Sequence, residues 1–286
     1  KRPKFHIYKP HIALISGIAW DHINVFPTFE SYREQFRIFI NHLPADGLLT
    51  YNDGDAILSE AVNQSTSDAK KIPYKTHEYC VENEKTFLLE AGQKIPLEIF
   101  GQHNLQNISG ARIICEALNV TSRGFYEAIT SFKGAGKRLQ VLCRNEKTAV
   151  FLDFAHSPSK LRATIEAVKE QFPDKKLVAC FELHTYSSLT KSFLSNYRGT
   201  MKNADEAIVF YNPETLKHKR LEDISPSEIY NAFNKKELKI FTISNELLNY
   251  LTNISYQNKV LLLMSSGNFG GINFHQMAET ICLKNQ

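Results

Sequence analysis

With 286 residues, 43% of them hydrophobic and 22% charged, the chain has the make-up of a folded globular protein long enough for two domains of ordinary size. Its formal net charge of +4 is small for this length, and Lys and Arg are spread along the chain, so charge gives no argument for nucleic acid or a membrane surface as a partner. The longest apolar run, Val260 to Met264, is too short to span a bilayer, and residues 1–10 lack the apolar core of a signal peptide. The five cysteines, Cys80, Cys115, Cys143, Cys180 and Cys282, are widely separated and form no CxxC pair, which predicts buried free thiols in a reducing cytosol. The Lys-Arg-Pro opening, without Met, reads as the middle of a longer protein.

Ile12 to Ile18 reads as an apolar strand that ends in Ala19-Trp20-Asp21-His22. A helix is predicted after Pro27-Thr28, because Tyr32, Phe36, Phe39, Ile40 and Leu43 recur at steps of three and four. Gly47 to Tyr51 is the next strand, closed by Asn52-Asp53-Gly54-Asp55, and this order makes a βαβ unit of a parallel sheet. Residues 59–76 are polar and without periodicity and are read as irregular. Lys85 to Glu90 and Ile95 to Phe100, separated by Ala91-Gly92-Gln93, read as an antiparallel hairpin. Gly101-Gln102-His103-Asn104 opens a helix with Ile108, Ala111, Cys115 and Leu118 on its apolar face, and a second helix runs from about Gly124 to Phe132. Lys133-Gly134-Ala135-Gly136 follows as a hinge, and the domain boundary is placed there, between residues 1–135 and 136–286.

Beyond the hinge, Arg138 to Cys143 and Ala149 to Leu152 are strands joined by Arg144-Asn145-Glu146-Lys147. Ser157 at the N-cap position and Pro158 at the first helical position start a helix that shows Leu161, Ile165, Val168 and Phe172 on one face. Strands at Leu177 to Phe181, Ala207 to Phe210, Leu238 to Ile243 and Val260 to Met264 then alternate with helical stretches up to Asn203, Ser225 to Phe233, Asn245 to Leu251 and a last one to about Leu283. That rhythm predicts a doubly wound sheet with helices on both faces. There is no internal repeat and no low-complexity segment.

Open α/β sheets bind ligands past the carboxyl ends of their strands, and Asp153, His156, His184 and Ser266 all lie there in the second half. Asp153 and His156 sit where a strand ends and a helix starts. His184 taken alone fits a satisfied loop histidine. Ser265-Ser266-Gly267-Asn268-Phe269-Gly270-Gly271 does not match the dinucleotide fingerprint, but small residues and N–H groups at a strand end suit an anionic ligand; a tight structural turn accounts for the same residues. In the first half, Asp21-His22 is a pair that holds a divalent metal in some settings and merely hydrogen-bonds within its loop in others. Asn104 and Asn107, three apart on one helical turn, offer amide donors and acceptors that match the edge of adenine, while Asn104 also fits a plain N-cap. Gly134-Ala135-Gly136-Lys137-Arg138 is no phosphate loop, since Ser131 stands where the first glycine belongs and Arg138 where Ser or Thr belongs.

Taken in order, the strand with Asp21-His22, Gly101-x-His103-Asn104-x-x-Asn107, Lys137-Arg138-Leu139 and Asp153-Phe154-Ala155-His156-Ser157-Pro158 resemble the Mur ligase family, ATP-dependent enzymes that join an amino acid or peptide to a UDP-muramoyl precursor. The resemblance runs over nearly the whole chain. It implies an α/β protein with a C-terminal doubly wound Rossmann-like domain after an incomplete α/β central ATPase domain with a mixed sheet. It also implies ATP and Mg2+, with His22 holding magnesium, Asn104 and Asn107 contacting adenine, and Arg138 and Asp153 contacting ATP on its phosphate and ribose side. His156 would stand near the reacting groups, catalytic together with Asp153, while His184, Ser266 and Asn268 would face the incoming peptide.

Within the family, the opening Lys1-Arg2-Pro3-Lys4-Phe5 and the ending Met264 to Ile272 look most like the murein-recycling members, which join the murein tripeptide L-alanyl-γ-D-glutamyl-meso-diaminopimelate to UDP-N-acetylmuramate. The L-alanine-adding members come next, and Phe36 matches that subgroup where several relatives carry a carbamoylated lysine. Thr185 and Ser188, however, stand where the alanine-adding members show arginines. A bacterial cytoplasmic enzyme is implied, with neither nucleic acid nor membrane insertion expected. The Gly-Lys-Thr loop, an acidic metal-binding segment and the UDP-holding domain of the family are not found before Lys1, so this stretch alone is expected not to turn over. The rival of another class is a peptide- or nucleotide-binding module without chemistry. An Asp153→Ala change is expected to abolish ligation and leave the C-terminal domain folded.

Overall fold

The computed structural model describes residues 3–20 and 25–285. The chain divides into two compact units, Lys1–Phe132 and Lys133–Gln286. Asp21 and His22 lie outside the described residues.

In the first unit β1 (Ile12–Ile15), α1 (Phe29–Asn41), β2 (Leu48–Asn52), α2 (Ala56–Asn63) and β3 (Lys70–Tyr74) build a parallel sheet of order β1-β2-β3. Thr28 starts α1 by accepting the Ser31 N–H on its side-chain oxygen. The helix then buries Ile40 against Ile15, Leu49 and Leu58. A separate antiparallel sheet follows, β4 (Tyr79–Glu82), β5 (Lys85–Glu90) and β6 (Gln93–Leu97). Helices α3 (Gln102–Ala117) and α4 (Ser122–Ile129) complete the unit, and Leu88, Leu105, Ile108 and Phe125 join this sheet to both of them. The parallel and antiparallel pairings expected of one mixed sheet thus occupy two sheets among the described residues.

Residues 59–76 are irregular only in part, since α2 runs on to Asn63 and β3 occupies Lys70–Tyr74. Asp55 caps α2, its carboxylate accepting the N–H groups of Ile57 and Leu58, and the other carboxylate oxygen accepts the Ile18 N–H past β1. β3 shows no apolar alternation because it is the outer strand of its sheet, where Lys70, Lys71 and Pro73 are tolerated. β6 starts at Gln93, earlier than expected, because the hairpin turn is only Ala91-Gly92, both with positive φ (48° and 76°).

The second unit holds β7 (Gln140–Arg144), β8 (Thr148–Asp153), α5 (Pro158–Gln171), β9 (Lys176–Leu183), α6 (Lys191–Leu194), β10 (Glu206–Tyr211), α7 (Pro213–Lys219), α8 (Pro226–Phe233), β11 (Lys239–Phe241), α9 (Ser244–Asn253), β12 (Lys259–Met264) and α10 (Phe274–Lys284). The strand order is β11-β10-β9-β12-β8-β7, and every pairing is parallel except that of β7 with β8. Leu152, Cys180 and Leu263 pack with Leu251, Met277 and Ile281 of α9 and α10. On the other face, Phe151 meets Phe172 at 5.5 Å and Phe181 meets Tyr197 at 5.3 Å. Burial on both faces is why these strands read as continuous apolar runs. α7 went unseen because only Leu216 of its residues is buried, although Asn212 caps it and Pro213 opens it.

One reading is overturned outright: Cys143 on β7 and Cys282 on α10 form a disulfide, with Cα atoms 6.5 Å apart. A sequence separation of 139 hides the pairing, and it arises because α10 packs on the outermost strand. Cys80 and Cys115 are half-buried, and only the third free thiol, Cys180, is buried, where loss of solvent pushes its thiol up. Among the described residues no helix is long and apolar enough to cross a membrane.

Candidate active site

In the second unit β12 lies between β8 and β9, with Met264 in register with both Asp153 and Phe181. The chain passes from β8 to β9 through α5 and later returns to fill the gap between them with β12, so three neighbouring strands release their loops at one end of the sheet. Such a reversal of strand order is where open α/β sheets form a crevice. Asp153, Glu182 with His184, and Ser265 stand side by side there because those strands stop there.

Asp153 is 2% exposed and both its oxygens are engaged. Oδ2 accepts the Leu139 N–H at 2.8 Å, while Oδ1 accepts the Ala155 N–H at 2.7 Å and lies 3.4 Å from the Thr164 hydroxyl. The Phe154 N–H adds a bond to the Lys137 carbonyl at 2.7 Å. These bonds pin a bent hook, Lys137-Arg138-Leu139, in which Lys137 and Leu139 have φ of 56° and 45°. Left-handed backbone at two non-glycine residues costs energy and persists only where neighbours enforce it. The hook holds Arg138 outward, its guanidinium carbon 5.7 Å from the centre of the Phe154 ring. His156 stands after the same strand, Nδ1 2.8 Å from the Phe154 carbonyl, and its own carbonyl accepts the Tyr197 hydroxyl. Ser157 occupies the N-cap position of α5 without making a side-chain cap bond.

Glu182, on β9, is the residue the sequence reading missed. It is 3% exposed, and its Oε2 accepts the Ser265 hydroxyl and, at 2.9 Å, the Phe269 N–H, so it ties the turn after β12 to the end of β9. Its Oε1 lies 3.5 Å from Nδ1 of His184, whose side chain is 38% exposed. Ser265 Oγ in turn accepts the Gly267 N–H at 2.6 Å. A buried carboxylate inside the otherwise apolar run Leu177 to Leu183 was the available signal, because burying a charge is costly unless something needs it. The strand reading stopped at Phe181, one residue short of it.

Of the predicted loop residues, Asn268 is exposed and its side-chain oxygen accepts the Gly271 N–H at 3.1 Å. The Ser266 hydroxyl oxygen is shielded from solvent and has no hydrogen-bond partner among the described residues. Gly267 comes so close that an added Cβ would lie 2.7 Å from both Glu182 Oε2 and His184 Nδ1. A Gly267→Ala variant is therefore expected to push His184 from its place, seen as a large shift of the His184 ring signals in an NMR spectrum, with unchanged signals contradicting the packing.

In the first unit, Asn104 is not the N-cap: that position belongs to Gly101, at φ 90°, and Asn104 sits on the first turn of α3 with its Nδ2 donating to the Phe100 carbonyl at 2.8 Å. Asn107 is exposed one turn on. Between them, Gln106 borders a cavity of about 370 Å³ together with Asn52, Asp53, Gly54, Lys75 and Thr76, past the ends of β2 and β3. Asp53 Oδ1 is shielded there without a hydrogen-bond partner among the described residues. This second missed residue follows an apolar strand directly. Among the described residues no group of three His, Cys, Asp or Glu side chains is placed to hold a metal, and His22 lies outside them.

Two family models match the chain, "Mur ligase middle domain" over residues 4–115 and "Mur ligase, glutamate ligase domain" over residues 137–267. A UDP-N-acetylmuramate–L-alanine ligase of Caldanaerobacter subterraneus subsp. tengcongensis is 26% identical over 276 residues, covering 91% of this chain and 59% of the relative. Among solved structures, a UDP-N-acetylmuramate-alanine ligase of Thermotoga maritima superposes with TM-score 0.68 at 19% identity, over 98% of this chain and 60% of the other. A murein peptide ligase of Psychrobacter arcticus superposes with TM-score 0.60 at 15% identity, over 99% and 59%. The chain thus spans about three fifths of the length of these three proteins.

Proposed function

We propose, from the premise that this chain belongs to the Mur ligase family, that it serves an ATP-dependent ligase forming a C–N bond on UDP-N-acetylmuramate in the cytoplasm of a bacterium. The observation that carries the reading is the convergence of Asp153, the Glu182–His184 pair and the Ser265 to Phe269 turn at three adjoining strand ends. A carboxylate does not react with an amine in water, so it must first be activated. In this reading the muramate carboxylate attacks the γ-phosphate of ATP, an acyl phosphate forms, and the incoming amine displaces phosphate from the carbonyl carbon. Carboxylate, nucleotide and transition state are all anionic, so fixed cations and N–H or O–H donors lower the barrier.

Asn104, Asn107 and the Asp53-Lys75-Gln106 cavity suit the adenine and ribose of ATP, since they offer amide donors and acceptors and a carboxylate with a spare oxygen. Arg138, held out by the hook, suits a phosphate, and Asp153 acts by fixing that hook rather than by touching the nucleotide. His22 would hold magnesium, and the described residues supply no further ligand set for it.

The acceptor is an L-alanyl amine, and two molecules carry one. Free L-alanine is favoured by the names of the curated relatives. The murein tripeptide is favoured by the end of β9. Free L-alanine brings a carboxylate beside its amine that needs a cation, whereas in the peptide that group is a neutral amide. Thr185 and Ser188 bond to each other there, and Lys191 is paired with Glu228 at 3.0 Å. Phosphate release by a protein with the whole family architecture, given ATP and UDP-N-acetylmuramate, decides: L-alanine should support turnover at least roughly tenfold better than the tripeptide. The opposite ratio establishes the peptide reading, and release with neither amine leaves no ligase.

A further inference from the structure

We infer that His184, its ring set by the buried Glu182, is the base that takes a proton from the acceptor amine. The inference deepens the ligase reading and rests on it. Glu182 Oε2 already receives two donors, the Ser265 hydroxyl and the Phe269 N–H. Its other oxygen, Oε1, faces Nδ1 of His184 at 3.5 Å, within ion-pair reach. A carboxylate that is 3% exposed must be paired on both sides, and an ionised carboxylate only accepts, so the proton of the neutral imidazole belongs on Nδ1. That leaves the lone pair on Nε2. His184 follows the carboxyl end of β9 with its side chain 38% exposed, so the ring is partly open to solvent at the strand ends, where the acceptor enters in this reading.

The chemistry balances without a further reagent. The amine, neutral when it attacks, forms the C–N bond to the acyl phosphate, and one N–H proton passes from nitrogen to Nε2. The C–O bond to phosphate then breaks, phosphate leaves with the electron pair, and His184 returns its proton to water. The imidazolium formed in between lies against the Glu182 carboxylate. His156 is placed differently: its Nδ1 meets the Phe154 carbonyl, which orients the ring. Glu182 is a positioning residue in this scheme and His184 the catalytic one. Gly267 has to lack a side chain because the turn that carries it crosses directly over the pair.

Glu182→Gln tests the assignment. The amide oxygen can still accept from Ser265 and Phe269, while the amide nitrogen donates to His184 Nδ1, so the imidazole proton is expected to move to Nε2. Nitrogen-15 NMR of the His184 ring in the 286-residue chain reads this directly, with no need for activity. In a ligase that contains the chain, Glu182→Gln should lower kcat about a hundredfold and leave KM for ATP unchanged, with no further loss on a His184→Ala background. The same tautomer in both proteins, or an unchanged kcat, overturns the inference. A switched tautomer in a protein that shows no amine-dependent phosphate release would instead overturn the ligase reading and leave the Glu182–His184 geometry standing.

Discussion

Replacing Asp153 by alanine is expected to remove about 3 kcal/mol from the stability of the second unit, because buried N–H groups of Leu139 and Ala155 would lose their acceptors and each such loss costs about 1–3 kcal/mol. The hook at Lys137 to Leu139 would then relax, since its two left-handed residues are held by that carboxylate and the neighbouring Phe154 N–H. Ligation should fall with it, through displacement of Arg138. A urea melt followed by tryptophan-independent far-UV circular dichroism gives the midpoint, and Asp153→Asn, which keeps one acceptor, should lose roughly half as much. The sequence alone led to a different expectation, that the alanine variant loses ligation while the C-terminal domain stays folded. A variant as stable as the parent would restore that view and place the carboxylate on the nucleotide.

Reduction of the Cys143–Cys282 bond should have the other large effect. It closes a loop across a sequence separation of 139 residues, and the loss of unfolded-chain entropy for such a loop is worth roughly 5 kcal/mol. Melting with and without reductant should differ on the order of 15 °C for the second unit, and a Cys282→Ser variant should melt like the reduced protein in both conditions. Identical melts, with all five thiols titrating in the unfolded protein without reductant, would show that the bond does not form. A cytoplasm keeps most thiols reduced, so in the proposed location this bond would follow the redox state of the cell's dithiols. With the bond open, α10 still packs on β7, and the Asn145 side chain still donates to the Cys282 carbonyl at 3.2 Å.

The parts of the fold that were legible in the sequence are those whose pattern is set by burial. Val260 to Met264 and Ala149 to Leu152 are buried on both faces and read as unbroken apolar runs, and α5 carries both a starting proline and an apolar face. What stayed hidden lies at edges and across long separations. β3 is an outer strand whose residues follow no alternation, α7 buries a single side chain, and Cys143 meets Cys282 only after the whole unit has folded. At the candidate site the logic is the same. Asp153 and His184 were found because strand ends in a parallel sheet collect ligands. Their direction was not found: which oxygen of Asp153 faces which N–H depends on the bend at Leu139, and no residue type announces that bend. Glu182 broke the apolar run of its strand, but what it holds became clear only when Ser265 and Phe269, more than eighty residues away, were seen to end on its carboxylate.

In the proposed reaction a carboxylate is activated by phosphoryl transfer before the amine arrives, and oxygen-18 reports on that step. UDP-N-acetylmuramate labelled in its lactyl carboxylate, turned over with ATP and the preferred amine by a protein that contains this chain, should yield inorganic phosphate carrying one labelled oxygen, since the bridging oxygen of an acyl phosphate leaves with phosphorus. Unlabelled phosphate, with amide product still formed, would contradict the account.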